Sequence, residues 1–154
     1  MRVHIAAGAL LVLAFALPSP GQAAPFSLRP ISERAAVILI GDDQGTIQSI
    51  IRDQIQAFQR DDGETAYSFA APSLRLYFPT AEGFMAMVRN GYRPIYRARS
   101  FNFGELKQVD GKYVQSVQIQ GPDGDYWRAV YTFVRQDDGS LKIISCYLVK
   151  DVTA

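Results

Sequence analysis

Three Asp-Gly pairs, Asp110-Gly111, Asp123-Gly124 and Asp138-Gly139, punctuate the C-terminal part of the chain at intervals of thirteen and fifteen residues. Asp-Gly readily adopts the positive φ values of a tight hairpin turn, and the segments between these pairs alternate at period two. The pattern predicts four strands, Arg99–Val109, Lys112–Gln120, Asp125–Gln136 and Leu141–Lys150. Each is joined to the next by a short turn, so the sheet is an antiparallel meander. Gly104 interrupts the alternation of Phe101 and Phe103 and marks a bulge that would let the sheet curve.

Upstream the period is helical. Ile47, Ile50, Ile51, Ile55 and Phe58 recur at spacings of three and four, which predicts a helix from about Gln44 to Arg60. Asp42-Asp43 would start it, because acids there cap free N–H groups and favour the positive end of the helix dipole. A second helix is expected over Glu64–Ala70 and ends at Pro72, which restricts Ala71. Thr80 caps a third, with Ala81, Phe84, Met85 and Val88 as its apolar stripe and Gly91 at its C-terminal cap. The fold class is therefore α+β: N-terminal helices packed on a curved four-stranded antiparallel meander.

The first 23 residues have the layout of a secretory signal peptide. Ile5 to Leu17 carries no charge, Pro18 and Pro20 break any helix, and small residues flank Ala23, the expected cleavage point. Thirteen residues at about 1.5 Å rise reach roughly 20 Å, short of the roughly 30 Å of a bilayer core. The expectation is export, to the periplasm, with no membrane span after cleavage. Residues 24–41 read as a linker or N-terminal segment, and 42–154 as a single domain. Within the linker, Val37-Ile38-Leu39-Ile40 fits a strand or a docked peptide better than a helix.

Charge and composition exclude several function classes. At 48% hydrophobic and 20% charged, the chain is that of a globular domain. Without residues 1–23 the basic and acidic residues balance, which argues against nucleic acid as a partner. The single histidine, His4, lies in the expected signal peptide. The mature chain then has no histidine for a Ser-His-Asp triad, a Cys-His pair or a His-ligated metal, and neither a metal nor a cofactor is expected. Cys146, the single cysteine, lies mid-strand between apolar residues and reads as an inert packed thiol.

The third and fourth strands are apolar on both faces. Trp127, Ala129, Tyr131 and Phe133 alternate with Tyr126, Val130 and Val134, and Ile143, Tyr147 and Val149 with Ile144, Cys146 and Leu148. One face takes the helices; the other needs Val37–Ile40 or a second copy, so a homodimer through the sheet face is expected.

Local stretches add a resemblance. Ala57-Phe58-Gln59-Arg60-Asp61-Asp62, Phe84-Met85-Ala86-Met87-Val88-Arg89, Tyr92-Arg93-Pro94-Ile95-Tyr96-Arg97, Gln115-Ser116-Val117, Gly124-Asp125-Tyr126-Trp127 and Asp138–Cys146 are similar to the bacterial domain of unknown function 4864 family. That family lies within the cystatin-like, or nuclear-transport-factor-two-like (SnoaL-like), superfamily. The resemblance covers residues 43–149 and departs from the family pattern at Leu141 and Ser145, where Trp and Gly are usual. It implies a cystatin-like cone that often holds a small apolar ligand, and it supplies no catalytic residues. Ketosteroid isomerases of that superfamily use an acid or a tyrosine inside the cone.

Against that frame the ligand-binding candidates are Gln115, Trp127, Tyr131, Tyr96, Arg97 and Arg99. Gln115 is polar on a core face, and Trp127 and Tyr131 bring apolar area with one polar atom each. Arg97 and Arg99, beside Tyr96, would meet the acidic head of a small amphipathic ligand through their planar forks. The acids mostly sit at turns and helix ends, Glu105 alone lying mid-strand. The sequence thus predicts an exported, non-catalytic ligand- or protein-binding accessory module. The alternative is a small isomerase or hydratase-like enzyme of the ketosteroid-isomerase type, using a tyrosine and a carboxylate in the cone.

Overall fold

The structure, a computed structural model, describes residues 31–151. Helix α1 (Ile31–Gln59) is followed by three short helices and one longer one: α2 (Gly63–Ser68), α3 (Pro72–Arg75), α4 (Ala81–Gly91) and α5 (Arg93–Tyr96). Strands β1 (Ser100–Val109), β2 (Lys112–Gln120), β3 (Tyr126–Arg135) and β4 (Leu141–Lys150) complete the chain. They form one antiparallel sheet in the order β1-β2-β3-β4, the predicted meander. The expected signal peptide and cleavage point lie outside the described residues. Among the described residues no helix is long and apolar enough to cross a membrane.

The turns follow from the Asp-Gly pairs. Asp110 and Gly111 take φ values of 49° and 73°, the two positive values of a two-residue hairpin loop, and Gly124 and Gly139 are also left-handed. Asp138 accepts hydrogen bonds from the Ser140 N–H (2.9 Å) and hydroxyl (2.6 Å), fixing the last turn.

Helix α1 begins earlier than its acids suggested. Val37–Ile40 and Asp42-Asp43 lie inside it, correcting both the strand reading and the expected start near Gln44. Ala35, Ala36 and Leu39 are strong helix formers, and Gly41 costs only about 1 kcal/mol in a helix interior, too little to stop it. Asp43 serves instead as a tie to the sheet: it accepts hydrogen bonds from Tyr113 of β2 and Arg135 of β3. Burial raises its pKa, but those two donors outweigh it and hold the carboxyl below its usual value.

The helix starts are capped locally, and α2 runs over Gly63–Ser68 where Glu64–Ala70 was expected. Asp62 accepts from Thr65 N–H (3.1 Å) at the start of α2, and Thr80 from Gly83 N–H (3.1 Å) at the start of α4. Ala71 is extended (φ −65°, ψ 155°) before Pro72, and Pro72 itself opens α3. Gly91 ends α4 as its last helical residue without a left-handed φ, and Tyr92 takes the cap position. The chain turns straight into α5 there, so no left-handed residue is needed.

The core lies between α1 and the concave face of the sheet. Ile47, Ile51, Ile55 and Phe58 of α1 share one buried cluster with Val117, Ile119, Ala129, Phe133 and Ile143. Two bulges curve the sheet, one in each outer strand. Phe103 pairs with Val117 but Leu106 with Gln115, which leaves one extra residue at Gly104-Glu105. A Cβ on Gly104 would lie 2.5 Å from the Ser116 hydroxyl oxygen, so glycine gives the bulge its room. Thr132 pairs with Ser145 but Phe133 with Ile143, so Ile144 is the extra residue of β4.

The second bulge corrects the predicted faces of β4. Cys146 and Leu148 turn inward with Ile143, opposite Tyr131 and Ala129, while Tyr147 and Val149 face outward and are exposed. The open side of β4 is partly covered by the α2–α3 connection. Ala70 forms a parallel bridge with Ile143, through Ala71 N–H to Ile143 O (2.8 Å) and Ile143 N–H to Phe69 O (2.9 Å).

Candidate functional site

The helices and the sheet do not meet everywhere. A cavity of about 290 Å³ remains between them, near the lower end of the usual range for ligand pockets. Helix α1 contributes Gln54 and Phe58 to its wall, and α4 contributes Phe84, Met87 and Val88. Leu74 of α3 and Phe78 beyond it form one side, with Tyr92 and Ile95 on another. The sheet supplies Tyr131 from β3 and Ile143 to Cys146 around the β4 bulge. Phe84 stands 6.2 Å from both Phe58 and Phe78, centroid to centroid, so three rings make one aromatic wall. Tyr67 braces that wall from outside: its hydroxyl donates to Phe78 O at 2.5 Å, and its ring lies 5.6 Å from Phe84.

Few polar side chains reach this wall, and two of them are already bonded elsewhere. Gln54, 4% exposed, donates from Nε2 to Ala66 O at 3.2 Å. The Tyr92 hydroxyl donates to Cys146 O at 2.8 Å. Tyr131 is the exception: it is 1% exposed, and its hydroxyl has no hydrogen-bond partner among the described residues. Burial first, then the neighbouring Cys146, pushes its pKa well above the ordinary phenol value. Cys146 is half-buried as a residue, yet its sulfur is enclosed enough for burial to push the thiol up to about 12. Both groups stay protonated at neutral pH. Among the described residues no Asp, Glu, Lys, Arg or His side chain lines the cavity.

Of the six candidate residues, Tyr131 alone lines the cavity. Gln115 is fully buried on the concave face but serves the β1 bulge, donating from Nε2 to Gly104 O (2.9 Å), Glu105 O (3.3 Å) and Ser116 O (2.9 Å). Trp127 lies instead in a second, smaller cleft of about 190 Å³ with Arg93, Pro94 and the Gly121–Asp125 turn. Lys150 sits over its ring at 5.7 Å and pairs with Asp125 at 2.7 Å.

The Tyr96 and Arg97 expectation is corrected by the end of α1. Asp61 turns the chain there at φ 57°, and its carboxylate gathers these side chains. Tyr96 donates its hydroxyl to Asp61 Oδ1, and Arg97 reaches Asp61 Oδ2 at 2.8 Å and Phe58 O at 2.6 Å. The Arg97 guanidinium also lies 3.8 Å from the centroid of the Tyr96 ring. The Tyr96 hydrogen bond, then Arg97, holds the Asp61 carboxyl below its usual range. Arg97 is thus a clamp on the helix end, not the mouth of the cavity, and Arg99 is exposed at the foot of β1, away from it. Arg97→Ala should therefore lower stability by about 1 kcal/mol, mainly through the bond to Phe58 O, because the half-exposed ion pair adds little. Urea unfolding of this variant beside Arg99→Ala, which should be neutral, checks the assignment. Equal stability of the two would refute the clamp.

The carboxylate of the isomerase alternative is also misplaced. Glu105 is exposed on the outer strand β1 and pairs with Lys107 at 3.2 Å. Among the described residues no three His, Cys, Asp or Glu side chains gather in a way that could hold a metal ion. Phe58 and Phe84, from the apolar stripes of α1 and α4, line the cavity. The sequence reading missed Gln54, Leu74, Phe78 and Tyr92. Gln54 carried a usable signal: it lies four residues after Ile50 and four before Phe58, on the apolar stripe itself.

A family model described as Domain of unknown function (DUF4864) matches residues 41–154. Among solved structures, an NTF-2 like protein of unknown function from Silicibacter pomeroyi is 12% identical, with 73% of this chain and 98% of that chain covered and a TM-score of 0.52. An NTF2-like protein of unknown function from Burkholderia pseudomallei is 11% identical, with 68% and 89% covered and a TM-score of 0.39. The first likeness shows a shared fold. No curated protein matches the chain.

Proposed function

The chain belongs to the domain of unknown function family DUF4864 and has an NTF2-like α+β fold, and from that premise we propose that it is an exported, non-catalytic module holding one small, mainly apolar ligand between α1 and the concave sheet face. One observation carries the reading: the cavity is walled by apolar side chains yet contains a buried tyrosine hydroxyl with no partner among the described residues. A core packed only for stability is expected to fill such a space and to satisfy such a group. An open cavity of this size speaks against the purely structural role in which Phe and Tyr plug the cone.

Among the described residues no carboxylate or imidazole lines the cavity, which supports binding over the isomerase alternative, since that needs a base beside its tyrosine. Cys146 offers no substitute, because its thiol stays protonated. Export rests on the layout of residues 1–23. Self-association rests on the outer sheet face, where Tyr147 and Val149 are exposed beside half-buried Val114 and Val130.

Native mass spectrometry of the protein purified from the organism that makes it tests all three parts in one spectrum. We expect a mature chain starting at or near Ala24, in dimers, with an added small mass that organic solvent releases. A ligand-free protein whose cavity also fails to take up the neutral dye Nile red would overturn the binding reading. A mass that includes Met1 would overturn export, and a clean monomer at micromolar concentration would overturn the dimer.

A further inference from the structure

We propose that the cavity selects an uncharged ligand that presents one acceptor oxygen, such as a carbonyl or an ether, to the Tyr131 hydroxyl. The inference rests on the ligand-binding reading above and adds the ligand's chemical class. Tyr131 stands at the inner wall, nine-tenths buried and more, with its hydroxyl unpaired among the described residues. A buried donor without a partner carries its full desolvation cost, and a ligand oxygen at that point would relieve it.

The other polar groups of the wall leave Tyr131 as the free buried hydroxyl. Of the two tyrosine hydroxyls, that of Tyr92 is committed to Cys146 O, which leaves Tyr131; the Gln54 amide is anchored on Ala66 O by one of its two N–H groups. The Cys146 thiol beside Tyr131 is a weak donor and keeps its proton. Ser145 stands at the exposed rim. Since Tyr131 is also held as the neutral phenol, it donates and does not act as an anion.

Charge in the ligand is disfavoured by what surrounds it. Among the described residues no lysine or arginine lines the cavity, and Arg97 is spent on Asp61 and Phe58 O. A carboxylate entering would lose its water and gain no countercharge. The aromatic wall of Phe58, Phe78 and Phe84 favours an apolar body.

The test uses the mature protein and three matched probes that displace Nile red at pH 8: butylbenzene, butyrophenone and phenylbutyrate. Butyrophenone should bind about tenfold tighter than butylbenzene, the scale of one buried hydrogen bond. Phenylbutyrate, ionised, should bind at least about tenfold more weakly than the ketone. In Tyr131→Phe the gap between ketone and hydrocarbon should close to within about twofold. Infrared spectra provide a second measurement on the unaltered protein, in which the carbonyl stretch of bound butyrophenone should shift to lower frequency than in an alkane solvent. Phenylbutyrate binding as tightly as the ketone, a gap that survives in Tyr131→Phe, or an unshifted carbonyl would overturn the inference while leaving the cavity a binding site. If neither neutral probe displaces bound dye, the ligand-binding reading fails and this inference with it.

Discussion

Raising the pH from 9 to 12 should remove about 3 kcal/mol of folding stability through Cys146 alone. In the unfolded chain the thiol loses its proton near its ordinary value of 9.0; in the folded protein burial holds the proton to about 12. The folded state therefore binds the proton more tightly. Its advantage is complete below pH 9 and is lost as the pH climbs through the folded value. Tyr131 shifts in the same direction and adds to the loss above the ordinary phenol value of 10.0. Urea unfolding at intervals across this range, on the wild type and on Cys146→Ala, separates the two groups. The variant should lose about 1 kcal/mol or more at neutral pH through packing, yet its stability should stay flat until the tyrosines titrate. Identical alkaline slopes would show that the thiol is not shielded. Iodoacetamide at pH 8 gives an independent check: the native thiol should label far more slowly than in urea, because only its thiolate reacts.

Gln115→Leu should lower stability by about 2 kcal/mol, although it replaces a fully buried polar side chain with an apolar one of similar size. Nε2 bonds the carbonyls of Gly104 and Glu105, the residues left out of the β1–β2 register, and that of Ser116 opposite them. Its two N–H groups are shared among these three oxygens, and losing them while leaving the buried carbonyls short of a partner costs about 3 kcal/mol. The opposing term comes from Oε1, which is buried without a partner among the described residues, and removing it returns about 1 kcal/mol. The loss should appear first as faster amide exchange around Gly104 to Leu106. A neutral substitution would mean that the bulge holds itself together without the glutamine.

The sheet was legible because its signals are local. Each Asp-Gly pair sets a turn by its own backbone preferences, and the predicted strand ends match the observed ones to within a residue. The cavity was less legible, because it is defined by what several distant segments leave unfilled. Phe58 and Phe84 were found through their helical stripes, whereas Leu74 and Phe78 sit in a segment without periodicity. Arg97 and Tyr96 were misplaced for a different reason. Their clustering was visible in the sequence, but the partner that organises them, Asp61, lies far along the chain at a helix end with a left-handed φ. Gln115 illustrates the same limit: period two placed it on the concave face, while its role depends on a bulge opposite it in the neighbouring strand. The β4 bulge had no glycine to announce it, so the inward turn of Cys146 could not be read from alternation.

The position of the two bulges also bears on how the molecule avoids polymerising. An open sheet edge offers unpaired N–H and C=O groups on which another chain can add a strand, and fibres grow by repeating that addition. In the order β1-β2-β3-β4 the edges are β1 and β4, and each carries its extra residue near mid-strand. On β4 the guard is fuller: residues 69–71 occupy both backbone groups of Ile143, and Tyr92 occupies the carbonyl of Cys146. On β1, Glu105 and Lys107 place opposite charges beside the bulge. Neither edge presents an uninterrupted template, so strand-by-strand growth is blocked at both ends of the sheet. The proposed pairing of copies through the faces of their sheets would stop at a closed pair instead of continuing into a filament.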